Sequence, residues 1–200
     1  AAAISMSTNR RANMSRPSVA PPCGSGTLCL EAAVIGMNIA AGFNRDFAVD
    51  ARPWFEEEIF KKVRDDAEGL ANYDAKLDIS GFDIDGRMIQ IAQENALEIG
   101  LDDIIQFKQM RLQDFRSEKL DGVLISNPPY GERLGDETAA YQLYEEMGET
   151  FKPLETWSKY IITSDLEFEK HYGAKATKKR KLYNGRLRTD LYQYFGKRIK

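Results

Sequence analysis

The sequence predicts an α/β domain built on a mainly parallel β-sheet, with antiparallel strands at the carboxyl end. Three observations support this fold class. Short apolar runs alternate with helical patterns along most of the chain, a glycine turn follows the first apolar run, and the last two apolar runs have no helix between them. Strands that are separated by helices favour parallel pairing, whereas consecutive strands favour antiparallel pairing.

The length and composition of the chain fit one domain. Of 200 residues, 42% are hydrophobic and 30% are charged, which is enough for one core but not for two average domains. No apolar stretch approaches the length of a membrane span, so we expect a soluble protein without membrane contacts. The cysteine content fits a reducing, cytoplasmic setting. One histidine and the two cysteines, Cys23 and Cys29, offer neither a metal site nor a disulfide framework.

The first half of the chain contains two strand–turn–helix units. Residues 1–15 are expected to be irregular, and the domain is expected to cover residues 16–200, beginning with a strand over 16–21, a glycine turn and a helix over 28–39. A strand over 77–82 and a helix over 87–99, closed by Gly100, form the second unit. Between the two units, Trp54 and Phe55 begin a pattern that predicts one or two surface helices within residues 43–73.

The second half of the chain continues this alternation. Apolar runs predict strands over residues 104–109, 122–126 and 157–163, with helices over 138–151 and 167–172. A closing pair of strands is expected at 180–184 and 190–195, joined by a seven-residue loop from Asn184 to Asp190.

The charge of the chain is unevenly distributed. The formal net charge is −3, which argues mildly against binding nucleic acid through overall charge alone. A basic stretch lies near the carboxyl end, and such a stretch is most often a solvated face. Its members are Lys175, Lys178, Lys179, Arg180, Lys181, Arg186 and Arg188.

The turn after the first strand, Cys23-Gly24-Ser25-Gly26-Thr27, is the first candidate site. Ligands of open α/β sheets bind at the carboxyl ends of strands, and glycines let a ligand approach the backbone closely. The turn lacks the lysine of a phosphate-binding P-loop. A dinucleotide fingerprint would need a third glycine at Cys29 and an acidic residue before Asp83. The pattern therefore favours a different adenosine cofactor.

Carboxylates follow the next two strands. Asp83, followed by Ile84 and Asp85, comes after the second strand, where its side chain can accept hydrogen bonds from both ribose hydroxyls of a nucleoside. Asp85 is also expected to cap the following helix and to make a lesser cofactor contact. After the third strand, Asp114, with Phe115, is a candidate acceptor for an adenine amine.

The motif Asn127-Pro128-Pro129-Tyr130 is the most specific signal, because it directly follows the fourth strand. An aromatic amine is a poor nucleophile, so a site that methylates it must hold its N–H groups and direct its lone pair. The amide oxygen of Asn127 and the carbonyl of Pro128 are suitable acceptors, and the prolines make the turn rigid. Tyr130 offers a ring face for stacking on a base that has left its helix.

Together these motifs resemble class I S-adenosylmethionine (SAM) dependent methyltransferases of the group that carries Asn-Pro-Pro-Tyr and methylates amino groups. More narrowly, the segments 23–27, 31–33, 81–85 and 127–134 resemble the RNA guanine-N2 methyltransferase family that includes large-subunit rRNA enzymes. The resemblance implies a Rossmann-like, seven-stranded sheet with a reversed last strand and helices on both faces. It also implies SAM bound by the residues after the first three strands, methyl transfer at residues 127–130, and RNA as the partner.

Two departures from the family pattern stand out. The family has an acidic residue three places before the cysteine of the glycine turn, where this chain has Ala20. Family members also carry an RNA-binding THUMP domain, and residues 1–15 are too few to form one, which suggests that the sequence is the catalytic part of a longer protein.

Other functions stay open from the sequence. The same tetrapeptide can hold any planar amino group, so an adenine-N6 methyltransferase acting on DNA or RNA, or a protein-glutamine methyltransferase, is the nearest alternative. A non-catalytic SAM-fold or RNA-binding module is a second class, kept open by Ala20.

Overall fold

The computed structural model describes residues 16–48, 52, 57–129, 137–184 and 186–197. Its strands are β1 (Ser18–Ala20), β2 (Ile79–Asp83), β3 (Ile105–Gln109), β4 (Val123–Ser126), β5 (Ser158–Thr163), β6 (Lys178–Asn184) and β7 (Leu187–Tyr194). Its helices are α1 (Thr27–Gly36), α2 (Glu57–Glu68), α3 (Gly86–Glu98), α4 (Glu137–Phe151) and α5 (Phe168–Tyr172), and a 3₁₀ turn covers Leu112–Asp114. None of the helices in these ranges is both long and apolar enough to cross a bilayer.

The seven strands form one sheet in the order β3-β2-β1-β4-β5-β7-β6. Strands β1 to β5 pair in parallel, and β7 is antiparallel to both of its neighbours, β5 and β6. The strand order reverses direction between β1 and β4, which is where open α/β sheets bind their ligands. The predicted fold class, including the reversed last strand, is confirmed.

The closing strands differ from the prediction. Strands β6 and β7 pair from Lys178↔Gln193 to Asn184↔Leu187, so only residues 185 and 186 lie between them. The expected seven-residue loop was therefore wrong. The prediction left residues 178–179 and 187–189 out of the strands, and these residues are polar or exposed. A strand at the edge of a sheet pairs through backbone hydrogen bonds and tolerates such side chains. A surface helix within residues 43–73 is confirmed by α2 (Glu57–Glu68), while Trp54 and Phe55 themselves lie outside the described residues.

The core consists of two apolar clusters, one on each face of the sheet. One face is covered by α1 and α3, and the other by α4 and α5. Strand β4 shows the division clearly, because Val123 and Ile125 belong to the first cluster whereas Leu124 belongs to the second. Side chains of a strand alternate between faces, so a strand that is buried on both faces is continuously apolar.

Helices α4 and α5 approach each other closely at Gly148. A Cβ atom at this position would lie 2.2 Å from the carbonyl oxygen of Tyr172, which a real side chain could not occupy without displacing α5. Helix α4 also forms one wall of the main cavity described below. The contact with α5 therefore helps to set the position of this wall relative to the sheet.

We expect Gly148→Ala to lower the free energy of unfolding by about 1–2 kcal/mol. Overpacking typically costs about 1–3 kcal/mol, and the better helix propensity of alanine returns up to about 1 kcal/mol. Urea denaturation measures the change. Gly69→Ala is the control, because its Cβ would lie 3.4 Å from the nearest atom, the carbonyl oxygen of Asp65. Equal stability of the two variants would show that α4 and α5 are not in close contact.

Candidate active site

Asp83, at the end of β2, connects the turns that follow the first two strands. One carboxylate oxygen accepts a hydrogen bond from the backbone N–H of Gly24 at 3.0 Å, and the other accepts from the N–H of Asp85 at 3.1 Å. The residue is only 8% exposed. A buried carboxylate needs such donors, and each oxygen keeps a further lone pair for a ligand.

The two glycines of the first turn have different roles. Both have positive φ, 52° at Gly24 and 79° at Gly26. A Cβ on Gly24 would meet no atom within 4 Å, whereas a Cβ on Gly26 would lie 2.8 Å from the Phe107 ring and 2.9 Å from Cβ of Ala92. Gly24 therefore leaves open space for a ligand, while Gly26 lets the turn pack tightly against the sheet and α3.

The other residues of this turn are engaged within the protein. The hydroxyls of Ser25 and Thr27 lie 3.1 Å apart, and the carbonyl of Ser25 accepts a hydrogen bond from the Asn95 side chain at 3.0 Å. Burial, assisted by the charge of Asp83, raises the pKa of the Cys23 thiol to about 12. Because only the thiolate is a strong nucleophile, Cys23 is unsuited to covalent catalysis at neutral pH.

Asp85 caps α3, as the sequence predicted. Its side chain accepts a hydrogen bond from the backbone N–H of Arg87 at 2.9 Å and forms an ion pair with the Arg87 guanidinium at 3.0 Å. These hydrogen bonds lower the pKa of the Asp85 carboxyl below its ordinary value.

A cavity of about 660 Å³ opens at the carboxyl ends of the central strands. Gly24, Asp83 and Asn127 all line it, so the residues that follow β1, β2 and β4 share one site. Ile84 and Pro129 add apolar surface. The volume lies within the usual range of small-molecule sites, about 300–1,000 Å³.

Two further walls of the cavity were not recognised in the sequence. Residues 110–113 form one wall, directly after β3, and α4 contributes Ala139, Leu143 and Glu146. The Glu146 carboxylate accepts a hydrogen bond from the backbone N–H of Gln113 at 2.9 Å, which joins the two walls. Ala139, Leu143 and Glu146 are four and three positions apart, which is the spacing of one helix face and the only sequence signal for them.

Asp114 and Phe115 are not among the residues that line this cavity. Asp114 is exposed at the end of the 3₁₀ turn. Phe115 is buried beneath the site, where its ring stacks on Phe82 with centroids 5.0 Å apart and meets Trp157 edge-on at 6.3 Å. Within the described residues, the predicted site residues that do not line the cavity are Cys23, Ser25, Gly26, Thr27, Asp85, Asp114, Phe115 and Pro128.

The Asn-Pro-Pro turn begins where β4 ends. Asn127 is exposed, Pro128 is buried and Pro129 is half-buried. The hydroxyl of Ser126 donates a hydrogen bond to the carbonyl of Pro21, which ties the end of β4 to the end of β1. Tyr130 lies outside the described residues.

Ala20 occupies the position where the family resemblance predicts a carboxylate. It is 4% exposed, pairs with Gly81 and belongs to the apolar cluster under α1. Asp83 and Glu146 are therefore the carboxylates that line the described part of the cavity.

Comparison with known proteins places these features in a family. The family described as RMKL-like, methyltransferase domain, matches residues 1–193. A candidate RNA methyltransferase of Bacillus subtilis, YpsC, is 56% identical over 91% of this chain and 47% of its own length. The ribosomal RNA large subunit methyltransferase K/L of Shewanella amazonensis is 36% identical over 84% of this chain and 24% of its own length.

Two solved structures are similar over nearly the whole chain. The candidate methyltransferase SMU.472, crystallised with S-adenosylhomocysteine (SAH), superposes with a TM-score of 0.95 at 59% identity, covering 100% of this chain and 52% of that one. A predicted N6-adenine-specific DNA methylase from Listeria monocytogenes gives a TM-score of 0.89 at 51% identity, covering 98% of this chain and 50% of that one.

The chain thus spans about half the length of YpsC and of both solved structures, and about a quarter of the K/L enzyme. The family match extends over all the strands and helices described above except Tyr194, the last residue of β7. The chain belongs to the RMKL-like methyltransferase domain family.

Proposed function

We propose that this domain transfers the methyl group of SAM to an exocyclic amine of a base in RNA, the N2 amine of guanine being the best-supported target. The observation that carries the proposal is the single cavity that Gly24 and Asp83 share with Asn127. A nucleoside cofactor and a planar amine are thereby brought to the same strand ends.

The cofactor half of the site is formed by the turns after β1, β2 and β3. Asp83 retains the lone pairs needed to accept hydrogen bonds from two ribose hydroxyls. Ile84, Met110 and Leu112 supply apolar lining for an adenine ring. SAM, when bound, supplies a methyl group on a positively charged sulfur, and the SAH bound to SMU.472 supports this choice of cofactor.

We propose that Glu146, rather than Asp114, accepts the hydrogen bond from the adenine amine of the cofactor. The carboxylate of Glu146 lines the cavity and is anchored by the Gln113 N–H, whereas Asp114 is exposed outside the lining. A carboxylate oxygen that already accepts one hydrogen bond can accept another.

The catalytic half of the site is the turn after β4. The amide oxygen of Asn127 and the carbonyl of Pro128 accept the two N–H bonds of the target amine, and Tyr130 stacks on the extruded base. With SAM bound, these acceptors would hold the amine nitrogen in line with the methyl carbon, so that the new carbon–nitrogen bond would form as the carbon–sulfur bond broke, leaving SAH and releasing the amine proton to solvent. Positioning and hydrogen bonding carry the catalysis, without a covalent enzyme intermediate.

The relatives favour RNA as the substrate, since both YpsC and the K/L enzyme are named for RNA. The N2 amine of guanine follows from the resemblance of the catalytic segments. The adenine-N6 alternative draws support from the name of the Listeria structure. A non-catalytic module is disfavoured, because Asn127 opens into the same cavity as Asp83.

Calorimetry with SAM tests the cofactor site. We expect micromolar binding by the parent chain and a loss of about tenfold or more in Asp83→Asn, because hydrogen bonds to a charged acceptor contribute about 1.5–3 kcal/mol. Asp85→Asn is the matched control. Asparagine still caps a helix, and Asp85 lies outside the cavity lining, so its affinity should stay within about twofold. Equal binding by both variants, or none by the parent, would refute the assignment.

Methyl transfer in single turnovers tests the catalytic turn. We expect Asn127→Ala to lower the rate by about 10²–10³-fold, the usual cost of removing one positioned polar group, with SAM affinity changed by less than about tenfold. The assay measures tritium transferred from SAM to an unmodified large-subunit rRNA transcript. Asn44→Ala, an exposed position outside the cavity, serves as the control. An unchanged rate in Asn127→Ala would remove Asn127 from the mechanism.

A further inference from the structure

A segment of high positive charge forms the free edge of the sheet. Residues 175–188 contain seven lysines and arginines and no acidic residue, whereas the rest of the chain has 21 basic against 31 acidic residues. The excess of acidic residues in the rest of the chain disfavours a polyanion there on average, whereas this segment attracts one. Among the described strands, β6, which carries four of the seven, pairs with β7 alone.

In the hairpin formed by β6 and β7, the basic side chains of β6 and of the turn are exposed to solvent, and so is one aromatic ring. Residues 178–181 are all exposed, and so are Arg186 and Arg188 in and after the turn. Tyr183 is 67% exposed and Leu187 is 37% exposed. Exposed cations interleaved with an aromatic side chain are the surface that single-stranded nucleic acid recognises through its phosphates and base faces.

The topology brings the turn of this hairpin to the catalytic edge of the sheet. Strand β6 runs in the same direction as β4 and β5, because both β5 and β6 are antiparallel to β7. The end of β6 therefore lies at the same sheet edge as Asn127. Three strand spacings separate β4 from β6, which is about 14 Å at ~4.8 Å each.

Simpler roles explain only part of this surface. Lysines on an edge strand discourage pairing with another chain, and two of the basic residues have contacts inside the domain. Lys179 pairs with Glu169 at 2.8 Å, and Arg188 pairs with Asp190 at 3.0 Å. These roles account neither for the exposed ring of Tyr183 nor for its position at the catalytic edge.

We propose that the β6–β7 hairpin binds the substrate RNA beside the target nucleotide. Lys181, on the same face of β6 as Tyr183, contacts a phosphate beside the unpaired flanking base on which Tyr183 stacks, and Lys178 and Arg180, on the other face of this edge strand, contact further phosphates. This inference rests on the proposed function and deepens it, because it assigns the RNA-binding surface within this domain.

The experiment measures binding of a fluorescein-labelled 20-nucleotide RNA stem-loop by polarisation at several salt concentrations. The test variant combines Lys178→Gln, Arg180→Gln and Lys181→Gln. The matched control combines Lys61→Gln, Lys62→Gln and Lys76→Gln, three exposed positions elsewhere that lose the same charge. We expect the test variant to bind at least tenfold more weakly at low salt, with a salt slope lower by about 2, since each phosphate contact contributes about 0.7. The control should change less than about threefold.

Tyr183 gives a second, charge-independent test. Tyr183→Ser should weaken binding by about tenfold through lost stacking, whereas Tyr183→Phe keeps the ring face and should bind as the parent does. Neither change touches the core, and thermal melting of each variant checks its fold.

Several outcomes would overturn the inference. These are no RNA binding by the parent, equal losses in the test and control variants, or a parent dimer that the test variant dissociates, which would assign the edge to a second copy. Failure of the proposed function has a different signature. In that case the parent binds RNA through the hairpin but neither binds SAM in calorimetry nor transfers a methyl group.

Discussion

The site depends on the hydrogen bonds that the Asp83 carboxylate accepts from the backbone N–H groups of Gly24 and Asp85. A carboxylate this buried would be costly without donors, and these two donors belong to the turns after β1 and β2. The same interaction thus stabilises the charge and fixes two separate turns relative to each other. Asp83 lines the cavity and keeps further lone pairs. The hydrogen bonds that hold the two turns together therefore also orient a carboxylate that can bind a ligand.

The central strands of the sheet hold the two turns that Asp83 connects. Strand β1 lies between β2 and β4, and its carboxyl end is linked to both neighbours. The Cys23 N–H donates to the Phe82 carbonyl at 2.9 Å, and the Ser126 hydroxyl donates to the Pro21 carbonyl. The cavity therefore sits at the point where the strand order reverses, with α4 closing it from one side. The residues proposed to bind the cofactor and those proposed to bind the target amine lie close together there, because both groups are at the carboxyl ends of central strands.

Sequence reasoning located the residues whose position depends on strand ends alone. Gly24 lies in the turn after β1, Asp83 ends β2 and Asn127 directly follows β4, and the meeting of parallel strand ends at one edge of the sheet brings them together. Glu146 could not be found this way, because its place in the cavity depends on how α4 is rotated and on the close contact at Gly148.

Two further differences have local causes. The 3₁₀ turn leaves Asp114 exposed and buries Phe115, and such a turn leaves no clear periodic signal in three residues. The ends of β6 and β7 were missed because an edge hairpin can be strongly charged and still pair through its backbone.

The most direct test of the account is to identify the nucleoside that receives the methyl group. The chain would be incubated with methyl-labelled SAM and unmodified large-subunit rRNA, and the digested nucleosides would be separated by mass spectrometry. We expect label in N2-methylguanosine. Label in N6-methyladenosine would keep the amine chemistry but contradict the base, and label on a ribose or a ring carbon, or no label in a chain that binds SAM, would contradict the role of the Asn-Pro-Pro turn.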